Sequence, residues 1–396
     1  MRLVHLADIH LGFRQYQRLT PNGINQREYD VAVSFTRAID QVIALRPDAV
    51  VVAGDVFHSS RPTNAAILRA FRQFLRLRTE LPAAAIVIVA GSHDTPRTSE
   101  SGSIMGLFEQ IGIAVAASET KLFAFPELDL EVVGVPDVPG QRLPVPPTSA
   151  RHRVLVIHAD VTDVVPRFYA ELDRSAIQTT RSDLAPARWS YVALGHYHVH
   201  SRVAENAFYS GSLDYTSLNV WGDKHDEQEL KVPGKGFIEF DLATGTHRFH
   251  RVEASRDFIE LGPLNARDMS PAEVDAAIAR LVEKRKGGID DKVVRLVIRD
   301  IPRQVARELD QRAIRDYRKR ALHFALDARK PEQTRRDAAG APARRPSVIE
   351  VVRDQLRARP IPADLDRTTL VDLGMRYLND AESFPAAVAA VPEADG

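Results

Sequence analysis

The 396-residue sequence contains no cysteine, so it has neither a disulfide framework nor a thiolate metal site, and any metal must be held by oxygen and imidazole nitrogen. It also lacks an apolar run approaching the ~20 residues of a membrane-spanning helix, which argues against a membrane protein of the helical class. A surplus of charge is missing too. The 53 Lys and Arg balance 53 Asp and Glu, so the strongly basic signature of many nucleic-acid binders is absent from the totals, although a single segment can still carry it. Met1 leads directly into RLVHLA without the charged start and apolar core of a secretory signal, which together with the missing cysteine predicts a cytoplasmic protein. With 44% hydrophobic and 27% charged residues the composition is that of a globular chain. Its length exceeds the ~250 to 300 residues over which one core keeps growing, so more than one domain is expected.

Five apolar runs each end in residues that bind metals. Asp8 and His10 follow RLVHLA, Asp55 follows AVVVAG, His93 follows AIVIVAG, His158 follows RVLVI, and His196 and His198 follow YVALG. Any one of these could be incidental. A D-x-H pair is common, Asp55 could cap a helix beginning in SSRPTNAA, and a lone histidine is usually a satisfied core or surface residue, as expected of His5, His152, His200, His225, His247 and His250. Repeated five times at strand ends, such donors would line the carboxyl edge of one sheet, where open α/β sheets bind ligands. Asp and His without thiolate suit Mn²⁺, Fe or Zn²⁺ and argue against a closed structural zinc site.

Residues 1–253 alternate strand runs with helical segments, including Tyr29 to Leu45 and Asn64 to Leu77, which predicts an α/β fold of two packed sheets. AFYSGS, KGFIEFDL and THRFHRVE read as an antiparallel closing sheet, and Gly140 to Ala150 as a Pro-rich surface loop. A small α+β unit is expected at 254–329. It opens with the strand-like FIELGPL, continues with a helix started by Ser270, Pro271 and Glu273 and running to about Lys286, then the strand VVRLVIRDI, and ends in basic helical sequence through Arg329. The stretch 330–346 has Pro, Gly and charge without apolar periodicity and reads as a flexible linker. In 347–384, Ser347 and Glu350 form a capping box opening the first of two amphipathic helices, too small to build a core of their own, so that they either dock back on the body or bind a partner; 385–396 reads as a disordered tail.

In this order, ADIH, GDVFH, GSHD, VIHAD and GHYH resemble the motifs of the calcineurin-like metallophosphoesterases, and within them the SbcD-type DNA double-strand-break repair nucleases. The resemblance implies a four-layer α/β/β/α sandwich, a small capping domain that restricts DNA entering the site, and a C-terminal helix pair that binds an SMC-like ATPase of the SbcC type. It further implies a homodimer paired through helices of the nuclease domain and an Mn²⁺-dependent exonuclease and endonuclease activity. Of two Mn²⁺ ions, one would be held by Asp8, His10 and His198 and the other by His158 and His196, with Asp55 bridging; His93 would be the catalytic histidine, oriented by Asp94, and His58 would help position the phosphate. Ser92 departs from the pattern, since the family usually places Asn there as an amide ligand to the second metal. A shorter, neutral hydroxyl predicts a weaker second site completed by water. Two other functional classes fit the same residues: a phosphoesterase acting on a small molecule, protein or lipid headgroup, and a DNA-tethering or ATPase-regulating subunit without catalysis.

Overall fold

The computed structural model describes residues 1–96, 102–144, 146, 149–166, 175–331, 348–358 and 366–383. Contacts divide the chain into two compact units, Met1–Arg329 and Lys330–Gly396.

The first unit is built on two six-stranded sheets. In one, the strands Arg2–Leu6, Ala49–Ala53, Ala85–Val89 and Ala114–Ala116 run parallel in that order, and Gly236–Asp241 with Thr246–Arg251 extend the Arg2–Leu6 side antiparallel. In the other, Leu130–Val135, His152–His158, Tyr191–Gly195 and Ala207–Tyr209 are parallel, flanked by the antiparallel edge strands Lys121–Phe125 and Ser201–Ala204. The strand runs are continuously apolar because both of their faces are covered. Val4, Leu6, Val50, Val52, Ile86 and Ile88 point toward the helices, whereas Leu3, Val51, Ala53, Val87 and Val89 join Val132, Val154, Val156 and Phe208 in a core between the sheets.

Helices Gln26–Leu45 and Asn64–Glu80 cover the first sheet, with Asn25 and Thr63 accepting from the first-turn amides as caps. Outside the second sheet, Leu155, Ile157, Val192 and Leu194 pack against Val161, Leu184 and Trp189. The α/β/β/α layering is therefore present. Among the described residues, however, the fourth layer next to this core is carried by short turns and the four-residue helix Arg181–Leu184. The closing segments split between the two sheets: Ala207–Tyr209 joins Tyr191–Gly195 in parallel, while Gly236–Asp241 and Thr246–Arg251 belong to the first sheet.

Beyond Arg256, a separate core of Ile259, Leu261, Val274, Ile278, Leu296, Ile298, Ile314 and Phe324 holds a three-stranded parallel sheet of Phe258–Asn265, Val293–Arg299 and His323–Ala328. The helix Pro271–Glu283 begins in a complete Ser270/Glu273 capping box. One sequence expectation fails here. The basic helix stops at Arg320, and His323–Ala328 is a strand, because pairing with Val293–Arg299 satisfies its backbone and buries Phe324, outweighing the helical leaning of its Ala and Leu. This sheet is tied to the body by Arg256, whose guanidinium bonds Asp30 at 3.0 Å and the Asp291 carbonyl at 3.1 Å, and by the stacked rings of Tyr16 and His323 at 4.1 Å.

In the second unit, helices Val348–Ala358 and Arg367–Ser383 meet where Gly374 leaves room for Leu356, and Arg367 donates to the Arg357 carbonyl at 2.6 Å. Ser347, most of the expected linker and the tail at 385–396 lie outside the described residues, as do 145, 147 and 148 of the Pro-rich loop. No helix among the described residues is long and apolar enough to cross a membrane.

Candidate metal centre

Parallel pairing brings the carboxyl ends of Arg2–Leu6, Ala49–Ala53 and Ala85–Val89 to one edge, and those of His152–His158 and Tyr191–Gly195 to the same edge of the facing sheet. The chain turns sharply there. Asp8, His10, Asp55 and His196 all adopt positive φ, at 52°, 52°, 51° and 104°, conformations that non-glycine residues take only where surrounding contacts hold them. Those contacts are visible. The amides of Asp8 and His10 bond the carbonyls of Gly54 and Asp55 at 3.0 and 2.9 Å, and the His196 amide donates to both oxygens of Asp8 at 3.0 and 3.2 Å, joining the sheets. Glycine is required at two of these endings. A Cβ on Gly91 would fall on the Asp55 carboxylate, and one on Gly195 would strike the Ala53 carbonyl.

The side chains converge in sets. Donor atoms of Asp8, His10 and His198 lie within 4.8 Å of one another, as do those of Asp8, Asp55 and His158, and those of His10, His58 and His93. His10 Nε2 is 2.9 Å from His198 Nε2, and Asp55 Oδ2 lies 3.7 Å from His10 Nε2 and 3.4 Å from His158 Nε2. His158 donates through Nδ1 to the Ala53 carbonyl at 2.9 Å, which turns Nε2 toward Asp55 and leaves it as the nitrogen that could ligate a cation. His196 belongs to the same edge, its ring 5.3 Å from that of His158, with its Nε2 3.1 Å from Asp160 Oδ1. Asp160 is fully buried and was missed by the sequence reading. Its signal was present in VIHAD, where an acid two residues after His158 mirrors the D-x-H spacing of Asp8 and His10.

The electrostatics of the cluster favour a cation. Burial, with the charge of Asp55 adding to it against the pull of His158, pushes the Asp8 carboxyl up to about 7. Burial acts on Asp55 in the same direction, but His158, His93 and His10 overcome it and hold Asp55 well below the usual carboxylate range. His10 goes the other way: burial drives its pKa well down despite Asp55. Buried carboxyls crowded among imidazoles, with all donors O or N, are the surroundings a divalent cation satisfies. The Ser92 hydroxyl adds an oxygen that is buried and without a hydrogen-bond partner beside the Asp55 strand end. The residues present therefore fit a pair of hard or borderline cations.

His58 and His93 stand on the outer side, stacked at 5.1 Å, with His58 Nδ1 3.3 Å from His10 Nδ1. His93 Nδ1 donates to the His58 carbonyl at 3.0 Å, and its amide donates to Asp55 at 2.9 Å. Asp94 works through the backbone: its carboxylate accepts from the amides of Phe57, Gly91 and Val56 at 2.8, 3.0 and 3.1 Å, fixing the two loops that carry Asp55 and His93. Burial, with the charge of Asp55, nevertheless raises Asp94 to about 7. A cavity of about 470 Å³ opens over His10, His58, His93 and His198, and its lining continues through Thr216 to Asn219 and through Gly222, Asp223, His225 and Asp226.

Of the remaining histidines, His225 lines the cavity, and three others are bonded within the fold. His5 bonds the Tyr191 hydroxyl at 3.0 Å, His200 the Tyr209 carbonyl at 3.0 Å, and His250 pairs with Glu239 at 2.8 Å.

A two-sheet sandwich with Asp and His donors at the shared carboxyl edge defines a metallophosphoesterase. The family model for calcineurin-like phosphoesterases matches residues 1–225, and the chain belongs to that family. Within it, the chain is similar to proteins described as "DNA double-strand break repair protein Mre11". That of Methanococcus maripaludis is 28% identical over 61% of this chain and 63% of the relative. The Methanocaldococcus jannaschii protein is 26% identical over 66% and 69%, and the Archaeoglobus fulgidus protein 31% identical over 50% and 46%. The chain thus spans between about half and two thirds of the length of these relatives.

Proposed function

We propose that this chain is a DNA nuclease that hydrolyses phosphodiester bonds with two divalent cations, Mn²⁺ first among them. The observation that carries the reading is the edge shared by the two sheets, where Asp8, His10 and His198 form one donor set and Asp8, Asp55 and His158 another. In this reading Asp55 and His158, with His196 held by Asp160, serve the second ion, and Asp55 bridges. When bound, two such ions clamp a phosphodiester, activate a water and stabilise the leaving oxygen.

The protein's own groups complete the reaction. His93 commits Nδ1–H to the His58 carbonyl, so Nε2 is the nitrogen that delivers a proton to the departing alkoxide at the cavity wall. His58, stacked on His93, holds that ring and lines the same wall, where it can donate to a phosphate oxygen. Asp94 keeps the two loops in register through its three amide bonds. Ser92 presents a hydroxyl where the family usually has an amide; a water there would leave the second site weaker.

DNA as substrate is supported by the similarity to the Mre11 proteins and by the helix Gln311–Arg320, which exposes Arg312, Arg315, Arg318 and Lys319 on the unit read as the capping domain. A homodimer is supported by Leu68 and Leu75, seven residues apart on one face of helix Asn64–Glu80 and both exposed. An SMC-like ATPase as partner of the C-terminal helices is supported by the exposed Leu373 and Tyr377.

Incubating end-labelled linear DNA with Mn²⁺ and the full chain tests the reading. Wild type should shorten it, and His93→Ala should bind the DNA without cutting. Intact DNA alongside hydrolysis of a small phosphoester would assign the site to small substrates, and equal cutting by His93→Ala would sink the role given to that residue.

A further inference from the structure

Leu218 is 74% exposed, and it lines the cavity together with His10, His58, His93 and His198. Exposure alone would be unremarkable, but this side chain lines the same cavity as the four histidines, where a bound molecule would cover it. Its neighbours leave it little freedom. Ser217 is buried and donates to Asp223 at 2.8 Å, while Asn219 caps the helix Val220–Glu229 by accepting from the Gly222 amide at 3.1 Å.

Asp223 in turn pairs at 2.9 Å with Lys235, a buried ammonium that also reaches Glu227 at 3.2 Å and donates to the carbonyl of His198 at 2.8 Å. The loop presenting Leu218 is thereby bonded to the backbone of a metal-binding histidine. Movement of one displaces the other, so Leu218 sits at a defined offset from the reacting phosphate.

We infer that Leu218 is the residue that selects a nucleoside beside the scissile phosphate, its side chain packing on the apolar face of the sugar and base while the phosphate rests on the histidine wall. This deepens the nuclease reading and rests on it. An inorganic phosphate or a small alkyl ester has no surface that Leu218 could cover, whereas a nucleotide is charged at one end and flat and apolar at the other, matching a cavity that holds both the histidines and an anchored leucine within an otherwise mostly polar lining that includes Asp226 and His225. Contact with a base face is tolerant of sequence, because every base offers one.

The test compares a single-stranded oligonucleotide with methyl trifluoroethyl phosphate, a dialkyl ester without a flat apolar face, both with Mn²⁺, for wild type, Leu218→Ser and Leu218→Met. Leu218→Ser should lower the ratio of kcat/KM for the oligonucleotide to that for the methyl ester by about tenfold, mainly through KM, the size of effect expected from removing a buried leucine contact. Leu218→Met, which keeps an apolar side chain of similar volume, should restore the ratio to within about twofold of wild type. An unchanged ratio, whether both rates hold or both fall together, overturns the inference, since parallel loss means the loop only shapes the site. If wild type hydrolyses the methyl ester but not the oligonucleotide, the nuclease reading fails and takes this inference with it; oligonucleotide cleavage with an unchanged ratio in Leu218→Ser removes this inference alone.

Discussion

His5 and His158 are both fully buried, both lie on strands of the paired sheets, and both are bonded through Nδ1, yet they sit in opposite electrostatic states. His5 lies in mid-strand between the sheets, where burial and the neighbouring His200 push its pKa down to about 3, so it is a neutral ring that bonds the Tyr191 hydroxyl through Nδ1. His158 is the last residue of its strand. Burial pulls it down as well, but Asp55, Asp8 and Asp137 outweigh burial and raise it well above the usual value. Burial alone neutralises an imidazole. At the sheet edge carboxylates gather around imidazoles and, among the described residues, no Lys or Arg pairs with them, and that demand for positive charge, rather than the presence of buried histidine, distinguishes a metal centre from a core.

Removing the demand should have the largest effect. Asp55→Ala takes away the carboxylate that lies 3.7 Å from His10 Nε2 and 3.4 Å from His158 Nε2, and we expect nuclease activity to fall by about 10³-fold or more, with Mn²⁺ content reduced in parallel when assayed on the purified protein. His93→Ala should lower the rate by roughly 10² to 10⁴-fold while Mn²⁺ content stays at the wild-type level, because His93 contributes a proton and not a ligand in this account.

A buried pair away from the edge offers the contrasting case. Arg27 and Asp214 meet at 2.7 Å with both side chains inaccessible, and Arg27 also reaches Asp30 at 3.2 Å. Arg27→Met leaves buried Asp214 without its cation, while Asp30 keeps Arg256, and should cost about 3 to 5 kcal/mol in urea unfolding. A loss below about 1 kcal/mol would mean that water reaches these groups.

The His5 half of the comparison predicts a pH dependence. Its folded pKa lies below the unfolded value of 6.5, so the unfolded chain takes up the proton first. The stability His5 contributes is therefore complete above about pH 6.5 and declines as pH falls toward 3, by roughly 1.4 kcal/mol per pH unit in the steep part. His5→Gln should show a shallower fall between pH 6.5 and 5 than wild type; parallel curves would contradict the assignment. Smallest is the effect at Ser92. Restoring an amide with Ser92→Asn should lower the Mn²⁺ concentration for half-maximal activity by several-fold, and identical half-saturation would remove the idea of a weakened second site.

The sequence made the edge legible because strands covered on both faces read as continuous apolar runs, and the residue ending each run is conspicuous. Asp160 escaped because it follows His158 beyond the end of the strand, where no apolar run marks it. Orientation was not legible: that Asp94 spends its carboxylate on three amides depends on the positive-φ turns at Asp8 and Asp55, which no spacing reveals. The strand His323–Ala328 was misread because parallel pairing is a long-range contact, and local propensity pointed to a helix. Likewise the helix Val220–Glu229 has little apolar periodicity and is held instead by the Asn219 cap and by Lys235 pairing with Asp223 and Glu227.

The central claim is that the strand ends of two sheets build one dinuclear centre. Anomalous scattering from crystals grown with Mn²⁺ tests it directly. The account predicts two ions per chain, about 3.5 to 4 Å apart, with Asp55 between them, His10 and His198 on one and His158 on the other. A single ion, or ions bound only by His10, His58 and His93, would contradict it.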